Sequence, residues 1–293
     1  MSLTDQLFQL IISGISVGAV YAVVGLGFMI VYSVTRVVNF TQGQFVMLGG
    51  MLTATFYARG LPLPVAMILS IVVTLIVGLI IQRVVVHPAR RASVVTLILL
   101  TFGASIVIQG IALLIWGTDP KSFPPFSGTT PIHISSAVIA PQALWVLGVG
   151  IVLVILLFAF FEYSFPGKTL RACSINPWAA RLMGISPEVM ALIAFGLAAV
   201  LGAAAGIVLT PWTTSSYGIG TPMAMKGFVA ALAGGLDRID GVLLGGFALA
   251  MLEALAAGFL PSGFKDGIAL FILLVVLFFR PTGLLGGAEA GKI

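Results

Sequence analysis

Charge is the first thing this sequence lacks. Asp, Glu, Lys and Arg together make up 8% of its 293 residues, against 60% apolar residues. Soluble domains carry about 25% charged and roughly 45–50% apolar residues. A chain so poor in charge has too little polar surface to cover a globule in water, and a bilayer removes that need. Cysteine is almost absent as well. The single Cys173 excludes an internal disulfide and a cysteine-built zinc cage. Histidine occurs only at His87 and His133. They fall in separate loops, expected on opposite sides of a membrane, so a shared metal site or a histidine-based catalytic pair is not expected. No nucleotide, haem or flavin motif appears, and no catalytic set. The fourteen Lys and Arg residues are scattered and form no patch, so nucleic acid is not an expected partner. The opening Met-Ser-Leu-Thr-Asp-Gln carries no positive n-region, and a cleaved signal peptide is not expected.

What is present is long hydrophobic runs and glycine, 35 residues of it. Small residues let helix backbones approach closely in lipid. Nine hydrophobic segments are read at 7–34, 40–58, 62–82, 94–116, 142–162, 189–210, 223–236, 241–260 and 266–280. A helical span needs about 20 apolar residues. The segment at 223–236 is short for a crossing and is a candidate re-entrant half-helix. Stretches such as 151–161 and 268–279 are apolar at every position, which excludes the alternation of a membrane β-barrel. The expected fold is an all-α, polytopic membrane helix bundle of about eight to nine hydrophobic segments, forming one transmembrane domain over 1–293.

Basic residues give the orientation. With the C-terminus cytoplasmic and all nine segments crossing, Arg36, Arg83, Arg90, Arg91, Lys168, Arg171, Arg181, Arg238, Arg280 and Lys292 lie inside. Arg59, Lys121, Lys226 and Lys265 lie outside. The N-terminus is then outside. Residues 117–141, rich in Pro, Ser and Thr, read as an ordered external loop or a short surface hairpin. Residues 163–188 read as a basic, partly helical cytoplasmic loop. There Pro166 and Gly167 break the preceding span, a short helix runs from about Lys168, and Asn176-Pro177 marks a turn or a second short helix.

Several motifs carry competing readings. Gly167-Lys168-Thr169 looks like the end of a phosphate-binding loop, but Glu162 stands where that motif needs glycine, and a span precedes it. ATP hydrolysis is therefore expected from a partner. Asn39, Thr41, Gln42 and Gln44 either line a polar passage or cap the helix that follows. Glu253 lies in an otherwise apolar helix. It is either functional, as an ionisable group at membrane depth, or protonated or paired near the helix end. Gln109 suits an interhelix hydrogen bond, and Asp237, Arg238 and Asp240 suit a solvated turn with a local ion pair. Gly14/Gly18, Gly202/Gly206 and Gly241/Gly245 suit close helix packing. The Gly-rich stretches opening at Asn39 and Lys226 sit at comparable places in the two halves, a pattern of repeat-built transporters.

Four stretches together resemble one family. They are Gly14-Ile-Ser-Val-Gly-Ala-Val-Tyr running into Ile30-Val-Tyr-Ser-Val, and Val38-Asn-Phe-Thr-Gln-Gly-Gln-Phe. The third is Gly167-Lys-Thr-Leu-Arg-Ala followed by Ala179-Ala-Arg-Leu-Met-Gly-Ile. The fourth is Lys226-Gly-Phe-Val-Ala-Ala-Leu-Ala-Gly-Gly through Gly241-Val-Leu-Leu-Gly-Gly to Arg280-Pro-Thr-Gly-Leu-Leu-Gly. In this order they resemble the inner-membrane permeases of branched-chain amino acid ABC importers, specifically the H-type subunit of the leucine/isoleucine/valine system. Thr41 and Gln42 stand where the family often carries Ala and His.

The resemblance implies a type II-like ABC importer permease in the bacterial inner membrane, moving branched-chain amino acids by alternating access. It implies as partners a second permease subunit of different sequence, two cytoplasmic ATPases and a periplasmic solute-binding protein. The chain would bind no cofactor and no metal, and its partners would use the ATP. Loop 163–188 would be the coupling segment, with Gly167, Lys168, Arg171, Ala172, Ala179, Ala180 and Gly184 on the family pattern. Asn39, Gln42, Gln44 and Glu253 are the candidates for the translocation path. Urea, short amides or other amino acids are alternative substrates within the family. An ion-coupled carrier depending on Glu253 is the reading from outside it.

Overall fold

The computed structural model describes residues 3–134 and 137–259, and a few separate positions from 267 to 285. Eight of the nine expected segments appear as helices: α1 (Leu3–Thr35), α2 (Gln42–Ala58), α3 (Leu63–Ile81), α4 (Val94–Trp116) and α5 (Pro141–Tyr163), then, after two short helices, α8 (Pro187–Thr213), α9 (Gly220–Gly234) and α10 (Ile239–Phe259). The ninth, at 266–280, lies largely outside the described residues, as do Lys265, Arg280 and Lys292. Among the described residues, six helices are long and apolar enough to cross a membrane: α1, α3 with its extension to Val86, α4, α5, α8 and α10. Helices α2 and α9, with 17 and 15 residues, reach only about 26 and 23 Å, short of the ~30 Å hydrocarbon core.

Helices α1, α2 and α8 form the centre. Most of α2 and α8 is buried, while α3, α4 and α5 turn exposed Ile, Leu, Val and Phe side chains outward. That inverted distribution suits a hydrocarbon solvent, where apolar surface carries no penalty. The α2–α8 contact is backbone against backbone. A Cβ on Gly49 would collide with Ala203, and one on Gly206 with Val46. Gly14 and Gly18 admit Met251 and Phe247 of α10 in the same way.

The chain from Arg36 to Thr41 does not stay at the end of α1. It turns back into the bundle, so that α2 begins with Gln42 packed on Gly27, about 12 Å along α1 from Thr35. Arg36 makes the turn in the left-handed region, at φ 56°. The first turn of α9 comes to the same place. A Cβ on Gly43 would strike the Gly220 carbonyl and Ala224, and one on Gly220 would strike the Gln44 amide. The two interrupted segments therefore meet at their N-terminal ends inside the bundle.

The loop after α4 closes with a hairpin, β1 (Ile132–Ile134) against β2 (Ala137–Ile139). Lys121 and Ser215 exchange backbone hydrogen bonds of 2.7 and 2.8 Å, tying this loop to the α8–α9 link. The loop at 163–188 holds the two short helices α6 (Phe165–Ile175) and α7 (Pro177–Leu182). Helix α6 starts three residues earlier than expected. Pro166 sits in its first turn, where a missing N–H costs nothing, and Ser164 caps it by accepting from Gly167 N at 3.0 Å.

Candidate functional site

The entry to α2 is polar and wholly buried. Thr41 holds the cap position without a side-chain cap bond. Asn39 stabilises the turn instead, its Oδ1 accepting from Thr41 N at 3.1 Å and from Thr41 Oγ1 at 2.6 Å. Gln42 Nε2 donates to the Ala198 carbonyl at 3.0 Å and Gln44 Nε2 to Ser105 Oγ at 2.9 Å. Each amide leaves one atom without a protein partner: Asn39 Nδ2, Gln42 Oε1 and Gln44 Oε1. A buried unsatisfied group costs about 1–3 kcal/mol, so these three atoms are the costly feature of the seam. Beside it, Phe40 packs on Phe28, Phe102 and Phe228 with ring centroids 5.5–6.2 Å apart. Gln109 meets Thr221 Oγ1 across α4 and α9 at 3.4 Å.

Glu253 belongs to a separate cluster. Its Oε2 accepts from Tyr21 OH at 2.7 Å and from Lys226 Nζ at 3.1 Å, and Lys226 also donates to Tyr21 OH at 3.0 Å. Glu253 is thus paired with its neighbours Tyr21 and Lys226. Lys226, counted with the outer residues in the sequence reading, is a half-buried cation in mid-α9. The clue in the sequence was an embedded lysine and an embedded glutamate on consecutive helices, 27 residues apart.

The basic residues gather at one end of the bundle. Arg36 reaches Asp237 at 2.9 Å and the Ser174 carbonyl at 2.9 Å. Glu188 Oε1 accepts from Arg90 at 3.3 Å and Arg181 at 3.2 Å. Arg171 faces Glu162 at 3.5 Å, and Arg238 pairs with Asp240 at 2.6 Å. The expected ion pair in the 237–240 turn is there, while Asp237 serves α1.

Helices α6 and α7 stand at this same end. A Cβ on Gly167 would run into the Phe160 and Phe161 backbone, so only glycine lets α6 fold directly under α5. Asn176 Oδ1 caps α7 by accepting from Trp178 N and Ala179 N at 3.0 and 3.1 Å. Gly184, at φ 81°, ends α7 in the left-handed conformation that favours glycine. Of the sequence candidates, Lys168, Arg171, Ala179 and Gly184 are exposed, Ala172 is half-buried, and Gly167 and Ala180 are buried supports. Residues missed by the sequence reading stand out here: Trp178, Leu182 and Met183 are 76, 90 and 81% exposed. Their apolarity carried no signal in so apolar a chain. Cys173, in α6, is buried, and burial raises its thiol pKa above the ordinary value.

Residues 10–278 match the family described as branched-chain amino acid transport system / permease component. The chain is 28% identical to the high-affinity branched-chain amino acid transport system permease protein LivH of Escherichia coli K12, covering 97% of both chains. It is 29% identical to the corresponding BraD permease of Pseudomonas aeruginosa, again over 97% of both. The autoinducer 2 import system permease LsrC of Salmonella choleraesuis is more distant, at 26% over 84% of this chain and 70% of the relative. Among solved structures, PsaBC from Streptococcus pneumoniae in complex with Fab matches 94% of this chain and 91% of its own at 15% identity and a TM-score of 0.49, too distant to carry an argument. With six membrane-length helices and a family match over most of its length, this chain is a multi-pass membrane protein that belongs to the branched-chain amino acid transport system permease family.

Proposed function

We propose that this chain is the translocating subunit of a binding-protein-dependent importer in the bacterial inner membrane, that it moves branched-chain amino acids, and that it works by alternating access. Permeases of this family serve ABC importers, with a partner permease, ATPases and a binding protein in general. For this chain the reading is a second permease of different sequence, two cytoplasmic ATPases and a periplasmic binding protein that selects the substrate. The chain itself, one permease domain over 1–293, would supply no catalytic residue, metal or cofactor.

The observation that carries the reading is the α6–α7 platform. It presents Trp178, Leu182 and Met183 beyond the membrane-length helices, at the end where Arg36, Arg90, Arg171, Arg181 and Arg238 cluster. By the positive-inside rule we read that end as cytoplasmic, with the N-terminus outside, and we keep the sequence expectation of a cytoplasmic C-terminus. An exposed apolar patch with a polar rim is the signature of a docking surface, here for an ATPase. Motion of that partner would pull on α6, and through Arg36 on both the return into α2 and the α9–α10 turn. The path would run along the seam of Asn39, Gln42 and Gln44 and past Glu253. Substrate identity follows the two relatives matched over nearly their whole length.

The test is leucine uptake into proteoliposomes holding this chain with its cognate permease, ATPases and binding protein. Uptake that needs both ATP and the binding protein is expected, and uptake without either overturns the reading. Arg171→Glu, or deletion of 168–184, is expected to abolish uptake while the chain still inserts.

A further inference from the structure

Lys226 and Glu253 put opposite charges deep in an apolar bundle. Glu253 lies about 21 Å along α10 from Ile239, and Lys226 about 12 Å along α9 from Gly234, well away from the basic end. Both line a cavity of about 150 Å³. The rest of its wall includes Met225, Val229, Leu249 and Leu270, all aliphatic or thioether. Met225 is 43% exposed, so the cavity opens at the surface of α9. An apolar cavity of about this volume accommodates a benzene-sized guest, which is larger than an isobutyl group.

From this geometry we infer that the cavity is a transit subsite for a zwitterionic aliphatic amino acid, with Lys226 and Glu253 receiving the carboxylate and ammonium while the aliphatic wall receives the side chain. The inference rests on the permease reading above and deepens it.

The charge logic favours a zwitterion over other solutes. A charge at membrane depth is costly unless paired. A free amino acid carries one charge of each sign on two groups joined through its Cα, and a Lys–Glu pair offers the complement of both. Between passages of substrate the two side chains neutralise each other, 3.1 Å apart, so neither is stranded. During passage each exchanges its internal partner for a substrate group, and the total charge of the cluster stays unchanged. A monovalent acid or amine would satisfy one side chain and leave the other buried and uncompensated, a loss of about 3–5 kcal/mol when a pair is broken this way. Tyr21, which donates to Glu253 and accepts from Lys226, holds both groups in place from α1.

Two measurements on the complete complex in proteoliposomes test this. The first is the rate at which a methanethiosulfonate reagent labels Met225→Cys in a Cys173→Ala background. Leucine, valine and isoleucine are expected to slow labelling. Isocaproate, which lacks the ammonium, and isoamylamine, which lacks the carboxylate, are not. No labelling, no protection by leucine, or equal protection by the single-charge analogues overturns the subsite.

The second compares Lys226→Met/Glu253→Gln with wild type. Leucine uptake is expected to fall by about tenfold or more, roughly 1.4 kcal/mol, while binding-protein stimulation of the ATPase stays near wild type. Unchanged uptake overturns the inference. Loss of both activities also overturns it, because that outcome marks a structural pair. Should the wild-type complex itself fail to import leucine, the substrate reading fails; should it import leucine without protecting Met225→Cys, only the subsite fails.

Discussion

Arg36 holds three parts of the chain with one guanidinium: its Nη1 lies 2.9 Å from Asp237 Oδ1 and its Nη2 lies 2.9 Å from the Ser174 carbonyl. It connects the end of α1 and the return into α2 with the α9–α10 turn and with α6. Both side chains of the ion pair are more than half exposed, so the link contributes about 0–1 kcal/mol to stability. Its value lies in direction. Arg36→Ala is expected to leave thermal stability nearly unchanged and to lower leucine uptake several-fold relative to ATP hydrolysed. Uptake and hydrolysis measured on the same proteoliposomes check this, and an unchanged ratio removes Arg36 from the coupling route.

Gly167 tests the support beneath α6. With Phe160 and Phe161 backbone where its Cβ would go, Gly167→Ala must shift α6 away from α5. Overpacking of this kind costs about 1–3 kcal/mol. The expected result is a chain that inserts, melts earlier in detergent and co-purifies with less ATPase. A wild-type melting profile would contradict the contact.

Trp178 and Leu182 separate docking from folding. Both are exposed in the chain alone, so Trp178→Glu and Leu182→Glu are expected to change stability by less than about 0.5 kcal/mol. ATPase association, read by co-purification or a binding isotherm, should drop by about tenfold or more, as for buried interface anchors. Normal association by both variants would move the docking surface elsewhere.

Cys173 reports on the packing of α6. Burial raises its thiol pKa, so at any given pH less of the reactive thiolate forms than for a free cysteine. Native protein is expected to resist maleimide at neutral pH, to react faster as pH rises, and to react fully once denatured. Fast native labelling at neutral pH would show that α6 is not seated as described.

The membrane segments were legible because hydrophobic length alone defines them. The run at 94–116 coincides with α4, and the hairpin before α5 and the two short helices after it follow from local Pro, Gly, Ser and Asn chemistry. The shortness of 223–236 already pointed to an interrupted helix. The segment at 40–58 was counted among the nine and also noted as a Gly-rich interrupted stretch, and its helix is short because the polar entry through Thr41 lies outside it.

The polar seam was half legible. Asn39, Gln42 and Gln44 were candidates from composition, but their burial against Gly27, Ala198 and Ser105 depends on the chain turning back at Arg36. Glu253 was visible as an embedded charge, while its pairing with Lys226 appears only once α9 closes on α10.

By itself, then, the sequence determined the solvent, the helical class, the approximate spans and the family, because each of these depends on composition, run length or short motifs. The tertiary structure decided which faces meet: α2 on α8 through glycine, α2 and α9 end to end, Lys226 on Glu253, and Trp178 and Leu182 outward. The physical reason is that helices apolar on nearly every face carry little pattern to say which side turns inward. In lipid that choice falls to small-residue contacts and a few polar pairs, and these are defined only once the helices are packed together.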